Sequence, residues 1–87
     1  MAVKNKFLKR RDVLDMTAQS DTSLDRSVRA GVFPPPVRIF GSPTSVRWIE
    51  YEVLKVINAS IEGFTEVQLK ELVQKLVAAR PHYSFES

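Results

Sequence analysis

The stretch from Gly31 to Trp48, GVFPPPVRIFGSPTSVRW, constrains the fold of this chain more than any other. Glycine reaches the left-handed conformation that closes a helix, and Pro34, Pro35 and Pro36 supply no amide donors to continue one. A helix must end at Gly31, and a rigid turn must follow it. Beyond the turn, Val37-Arg38-Ile39-Phe40 and Ser45-Val46-Arg47-Trp48 flank Gly41-Ser42-Pro43-Thr44, the pattern of two short strands joined by a four-residue loop. A small hairpin behind a helix has the form of a wing.

The residues before Gly31 predict two short helices. Met1 to Lys6 is polar and reads as a frayed end, and Phe7-Leu8 is an apolar pair able to dock on a core. Val13, Leu14 and Met16, with Asp12 near the helix start, predict a first helix over about Arg10 to Thr17. Ser20 suits the N-cap of a second, from about Asp21 to Ala30, on which Leu24 and Val28 share one face. Thr22, Ser23, Arg26 and Arg29 lie largely off that face. Two helices with so short a connection, followed directly by a hairpin, predict a mainly α winged helix-turn-helix.

After the wing, Val53, Val56 and Ile57 at helical spacing predict a third helix over Glu50 to Ala59, broken at Ile61-Glu62-Gly63. Trp48 reads as core. Thr65-Glu66-Val67-Gln68 is a capping box, flanked by Phe64 and Leu69 as a hydrophobic staple. Leu69, Leu72, Val73, Leu76 and Val77 then form one stripe, and Pro81 ends this fourth helix. Its apolar face either closes the domain's own core or meets a second copy in a homodimer. The organisation expected is a winged helix-turn-helix unit over 1–60 and a C-terminal helix and tail over 61–87.

Size and charge narrow the function classes. A chain of 87 residues buries only about 60 to 65% of its unfolded surface, too little core for an extended catalytic cavity. Cysteine is absent, which removes disulfides and thiolate chemistry and fits a reducing compartment. No apolar run reaches the roughly 18 residues of a membrane span, and the N-terminus lacks the apolar core of a signal peptide, so the expected location is cytoplasmic. His82 sits in a tail with Tyr83 and Phe85 that reads as disordered, and the pairs Asp12/Asp15 and Glu50/Glu52 read as helix-end or surface charge. No catalytic residue, metal ligand, cofactor or small-molecule substrate is expected. Residues 1–60 hold ten Lys and Arg against six Asp and Glu, whereas 61–87 hold three against four. A basic partner surface therefore belongs to the first two thirds.

The residues Phe7-Leu8-Lys9-Arg10, Asp12-Val13, Thr17, Ser20, Leu24, Arg26, Gly31-x-Phe33-Pro34-x-Pro36-Val37, Val46-Arg47-Trp48 and Glu52-Val53 carry a resemblance. Over about 7–57 the chain resembles the AlpA family of phage-type regulatory proteins, winged-helix domains akin to MerR-like and excisionase DNA-binding domains. The resemblance implies binding to double-stranded DNA, as a transcription regulator or a recombination directionality factor of an integrated element. Four positions depart from the family pattern. Asp21 stands where a basic residue is usual, Asp25 where tyrosine is usual, Ala18 at the turn glycine and Val56 at a second tryptophan.

Elementary chemistry agrees on where a duplex sits. The second helix is the rod that enters a major groove, with Thr22, Ser23 and Arg26 as candidate base readers. Arg29, the wing residues Arg38 and Arg47, and the cluster Lys9, Arg10 and Arg11 are candidate phosphate contacts. The alternative for each arginine is a solvated charge or a local ion pair. Asp25 is spaced to pair with Arg29 or to accept from a cytosine amino group, and Asp21 suits the helix dipole. Both aspartates also favour the alternative function, a protein-interaction module on the same scaffold.

Overall fold

Helix α1 (Arg10–Thr17) starts where Lys9 is extended and donates its amide to Asp12 Oδ2 at 3.0 Å. It ends at Ala18, whose φ of 54° puts a residue with a Cβ in the left-handed region. Helix α2 (Asp21–Arg29) is capped by Ser20, whose hydroxyl accepts the Ser23 amide at 3.2 Å. Gly31, at φ 79°, closes α2 as anticipated. Its amide reaches Val28 O at 3.1 Å and that of Val32 reaches Ser27 O at 3.2 Å, the paired bonds of a Schellman ending. These elements belong to a computed structural model that describes residues 6–83. Residues 1–5 of the polar end expected over 1–6, and Phe85 of the expected tail, lie outside the described residues.

The ribbon is larger on one side and shorter on the other than the sequence suggests. Strand β1 (Phe7–Leu8) pairs antiparallel with β3 (Val46–Ile49), Phe7 opposite Ile49 and Leu8 opposite Trp48. Strand β2 (Val37–Arg38) pairs with the other edge of β3, Val37 opposite Arg47 and Arg38 opposite Val46. The order is β1-β3-β2. The apolar pair that docks the N-terminus does so as a strand, satisfying the backbone of β3 on both edges. Ile39 and Phe40, expected in a strand, form a 3-10 turn over Ile39–Gly41, with Phe40 at φ 56°. The Ile39 amide still donates to Ser45 O at 2.9 Å, so the loop closes one residue after the strand stops.

Helix α3 (Glu50–Ile61) runs two residues beyond its expected end because the break is at Gly63, φ 90°, where Gly63 and Phe64 amides reach Ser60 and Ala59 carbonyls. Helix α4 (Glu66–Ala78) carries the anticipated capping box. Gln68 N donates to Thr65 Oγ1 at 3.2 Å, and Thr65 N donates to Gln68 Oε1 at 2.9 Å. The molecule is thus mainly helical, with four helices and one small antiparallel sheet among the described residues.

One core serves the four helices, the proline turn and strands β1 and β3. Leu8, Val13, Leu24, Phe33, Trp48, Val53, Val56, Val73 and Leu76 are buried in a single cluster, with Leu69, Leu72 and Val77 packed against it. The α4 stripe therefore faces this chain's own interior. Two expectations fail here together. Glu52, read as helix-end or surface charge, is fully buried, and Tyr83 of the tail read as disordered joins Arg80 in supplying its partners. Arg80 reaches Glu52 with Nε to Oε2 at 2.8 Å and Nη2 to Oε1 at 2.7 Å, and Nη2 also donates to Pro35 O at 2.7 Å. Tyr83 Oη stands 3.0 Å from Glu52 Oε2 and 2.7 Å from Leu76 O. A buried carboxylate is tolerable only when its charge and lone pairs are met, and residues 28 and 31 positions away in sequence meet them.

Candidate nucleic-acid interface

At roughly 100° per residue, burial of Leu24 and half-burial of Val28 turn Asp21, Thr22, Asp25, Arg26 and Arg29 outward along α2. All five are exposed. Ser23 lies off that strip. It is half-buried and donates its hydroxyl to Gln19 Oε1 at 3.1 Å, an acceptor shared with the Ser27 hydroxyl at 3.2 Å. The Gln19 amide thus braces the α1–α2 turn, and Ser23, expected as a base reader, is occupied in that turn.

The outward strip of α2 borders the sheet. Asp25 and Arg29 of α2, Pro36 of the turn, Val46 and Trp48 of β3, and Arg10 of α1 line one groove. Strand residues two apart share a face, and residues directly opposite in an antiparallel pair do so too. Val46, Trp48 and Arg38 therefore lie on the α2 side of the sheet, whereas Arg47 and Val37 lie on the other. Arg29 and Arg38 are brought to the same side. Arg47 is half-buried and donates to its neighbour's carbonyl, Val46 O, at 2.9 Å. Arg26 borders a different depression, with Ala30 of the α2 end and Glu66 and Leu69 of α4. The arginines expected to form one footprint are divided: Arg29 and Arg38 toward the groove, Arg26 in the separate depression beside α4, Arg47 behind the sheet.

Electrostatics at the start of α1 differ from expectation as well. Arg10 Nε donates to Asp21 Oδ1 at 2.6 Å, and its Nη2 to Asp25 Oδ1 at 2.8 Å and Asp21 O at 3.2 Å. Asp25 thus pairs with Arg10, not with Arg29. The Asp21 and Asp25 carboxylates raise the Arg10 pKa above its ordinary value, first through these hydrogen bonds and then through their charge. The guanidinium also lies 5.9 Å from the centre of the Trp48 ring. Trp48 in turn donates Nε1–H to Pro34 O at 3.0 Å, tying β3 to the proline turn. Arg10 is a strut between α1, α2 and the sheet, and two carboxylates offset its charge. Lys9 and Arg11 beside it are exposed.

The feature that sequence reasoning missed is Phe40. It is 94% exposed at the ribbon tip, and the Gly41-Ser42-Pro43 that follows was the available signal that the strand stops before it. No helix among the described residues is long and apolar enough to cross a membrane. No protein-family model, curated protein or solved structure matches the chain.

Proposed function

We propose that this chain is a winged helix-turn-helix protein of the AlpA-like kind that binds double-stranded DNA. In this reading α2 enters the major groove, and the β2–β3 ribbon is the wing. Thr22 and Arg26 meet base edges, while Arg29, Arg38, Lys9 and Arg11 meet phosphates. The role that follows is transcription regulation, or direction of recombination, for an integrated phage-type element. The observation that carries the reading is the shared groove: Arg29 from α2 and Arg38's face of the ribbon lie on one side of the molecule. Charge supports it further, since Arg26 to Ile49 contains four arginines and no carboxylate.

The test is titration of labelled duplex from upstream of the protein's own gene, and from the ends of the neighbouring element, at 50 and 200 mM salt. With about four to six phosphate contacts, affinity falls roughly 10² to 10³ fold between the two conditions. A flat salt response, or no binding at 50 mM, overturns the proposal. The second reading, a protein-interaction module on this scaffold, draws on the Asp21 and Asp25 carboxylates that offset Arg10 on the strip itself. It is favoured by that flat response.

A further inference from the structure

Phe40 combines two properties that seldom occur together. Its side chain is 94% exposed, and its backbone occupies the left-handed region at φ 56°, ψ 26°. A lone exposed apolar residue is ordinary on a protein surface, but a bulky aromatic at positive φ is an outlier. No burial of Phe40 compensates for that conformation in the free protein.

The conformation is nevertheless held. Ser42 N donates to Ile39 O at 3.1 Å across the turn, Ile39 N to Ser45 O at 2.9 Å below it, and Thr44 N to Ser42 Oγ at 3.3 Å beside it. The Ser42 and Thr44 hydroxyls lie 3.1 Å apart. Four short contacts within the seven residues Ile39 to Ser45 turn the tip into a rigid mount that presents one ring to solvent. Strained conformations that persist in this way concentrate at binding sites, because the fold stabilises the geometry in advance of the ligand.

The charge around the tip selects the partner. The loop itself, Gly41 to Ser45, is uncharged; the nearest charged residues along the chain are Arg38, exposed on the α2 side of the ribbon, and Arg47, half-buried on the other side. An apolar ring on a cationic ribbon matches a surface with polyanionic rims and an apolar interior. The minor groove of DNA is such a surface, with phosphates at its edges and stacked base faces within, and proteins that enter it insert phenylalanine between base steps.

We infer that Phe40 is a wedge that enters the minor groove next to the major groove occupied by α2, partly unstacking one base step and bending the duplex. The inference rests on the DNA-binding reading and adds to it a residue, a groove and a distortion. Flexible pyrimidine–purine steps, TA and CA/TG, are the preferred points of entry, because they unstack most readily. Specificity then arises in part at a step that no side chain reads by hydrogen bonding.

The experiment starts from a randomised pool of 30-base-pair duplexes selected on the wild-type protein at 50 mM salt. A selected duplex is labelled at its ends for energy transfer and carries 2-aminopurine beside each TA or CA step in turn. Wild-type protein is expected to shorten the end-to-end distance and brighten 2-aminopurine at one step. Phe40→Ala loses both signals and about ten-fold or more in affinity, with an unchanged salt slope because no charge is removed. Phe40→Leu restores the bend, while Arg38→Ala lowers the salt slope by about one. Circular dichroism and a thermal melt of Phe40→Ala confirm the fold, which an exposed side chain does not support. A Phe40→Ala protein that binds and bends like wild type overturns the wedge and leaves DNA binding standing. Failure to select any duplex overturns both.

Discussion

Arg10 Nη2 stands 2.8 Å from Asp25 Oδ1, so a cation of α1 and an anion of α2 offset each other beside the sheet. Asp21 Oδ1, 2.6 Å from Arg10 Nε, completes the arrangement. All three side chains are partly exposed, at 38, 56 and 70%, so the network is worth no more than about 1 kcal/mol in stability. If the protein binds DNA as proposed, the network's larger effect is on the field that a phosphate meets. The double variant Asp21→Asn/Asp25→Asn removes two negative charges and releases Arg10. It is expected to bind duplex DNA more tightly, with a salt slope steeper by about 0.9 for the contact Arg10 gains. Fluorescence anisotropy at four salt concentrations measures this, and a weakened or unchanged slope counts against a DNA-facing Arg10.

The register of the ribbon separates its two arginines. Arg29→Ala and Arg38→Ala are each expected to weaken binding and lower the salt slope by about one. Arg47→Ala, on the face that turns away from α2, leaves the slope within experimental error. If Arg47→Ala proves the more damaging, the duplex lies against the opposite side of the sheet.

Arg80 is the counterion of a carboxylate with no exposure to water. Arg80→Ala leaves Glu52 charged, buried and unpaired, a change that costs about 3 to 5 kcal/mol. Urea denaturation reads this as a lower midpoint with an unchanged slope. The double variant Glu52→Gln/Arg80→Met removes both charges and is expected to lose much less. Equal losses in the two proteins refute the pairing as the source of the effect.

Tyr83 gives the fold an alkaline limit. Burial, and then the neighbouring Glu52 charge, push its phenol above the ordinary value near 10. Above about pH 10 the unfolded chain loses that proton while the folded chain keeps it. The unfolded state then binds fewer protons, and stability falls as pH rises toward the folded value. Below about pH 10 this contribution is fully present. Tyr83→Phe is expected to be less stable at pH 7, having lost the one hydroxyl proton that Leu76 O and Glu52 share, but to have a flatter stability profile between pH 9 and 11. A profile parallel to wild type sinks the assignment.

Ala18 holds a left-handed conformation at φ 54° with a Cβ attached. Replacing it by glycine removes a strain of roughly 1 to 2 kcal/mol and adds about 0.5 to 1 kcal/mol of unfolded-state entropy. Ala18→Gly is expected to raise stability by about 0.5 to 1 kcal/mol, read as a higher thermal midpoint.

The helices were legible in the sequence because each has local punctuation. Ser20, Gly31, Gly63 and the Thr65/Gln68 box act within a few residues of the backbone groups they satisfy. The apolar periodicity of α2, α3 and α4 was readable for the same reason: helical spacing alone brings those side chains onto one face. The ribbon was half legible. Its turn and central strand follow from Pro34 to Pro36 and Val46 to Trp48, but β1 is fixed by pairing across some forty residues, and Phe40 leaves the strand only because the loop closes one residue early.

Amino-acid order alone determined where the four helices lie to within a residue or two at their ends, that a rigid turn divides the chain after Gly31, and that its positive charge lies in the first two thirds. Three-dimensional packing decided which charges cancel and which remain available. Arg10 with Asp25, and Glu52 with Arg80, are 15 and 28 positions apart, and their attraction depends on distances set only when the helices pack on one core. Side-chain direction follows the same rule. Arg38 and Arg47 look alike in the sequence, and only the pairing of β2 with β3 turns one toward α2 and the other away.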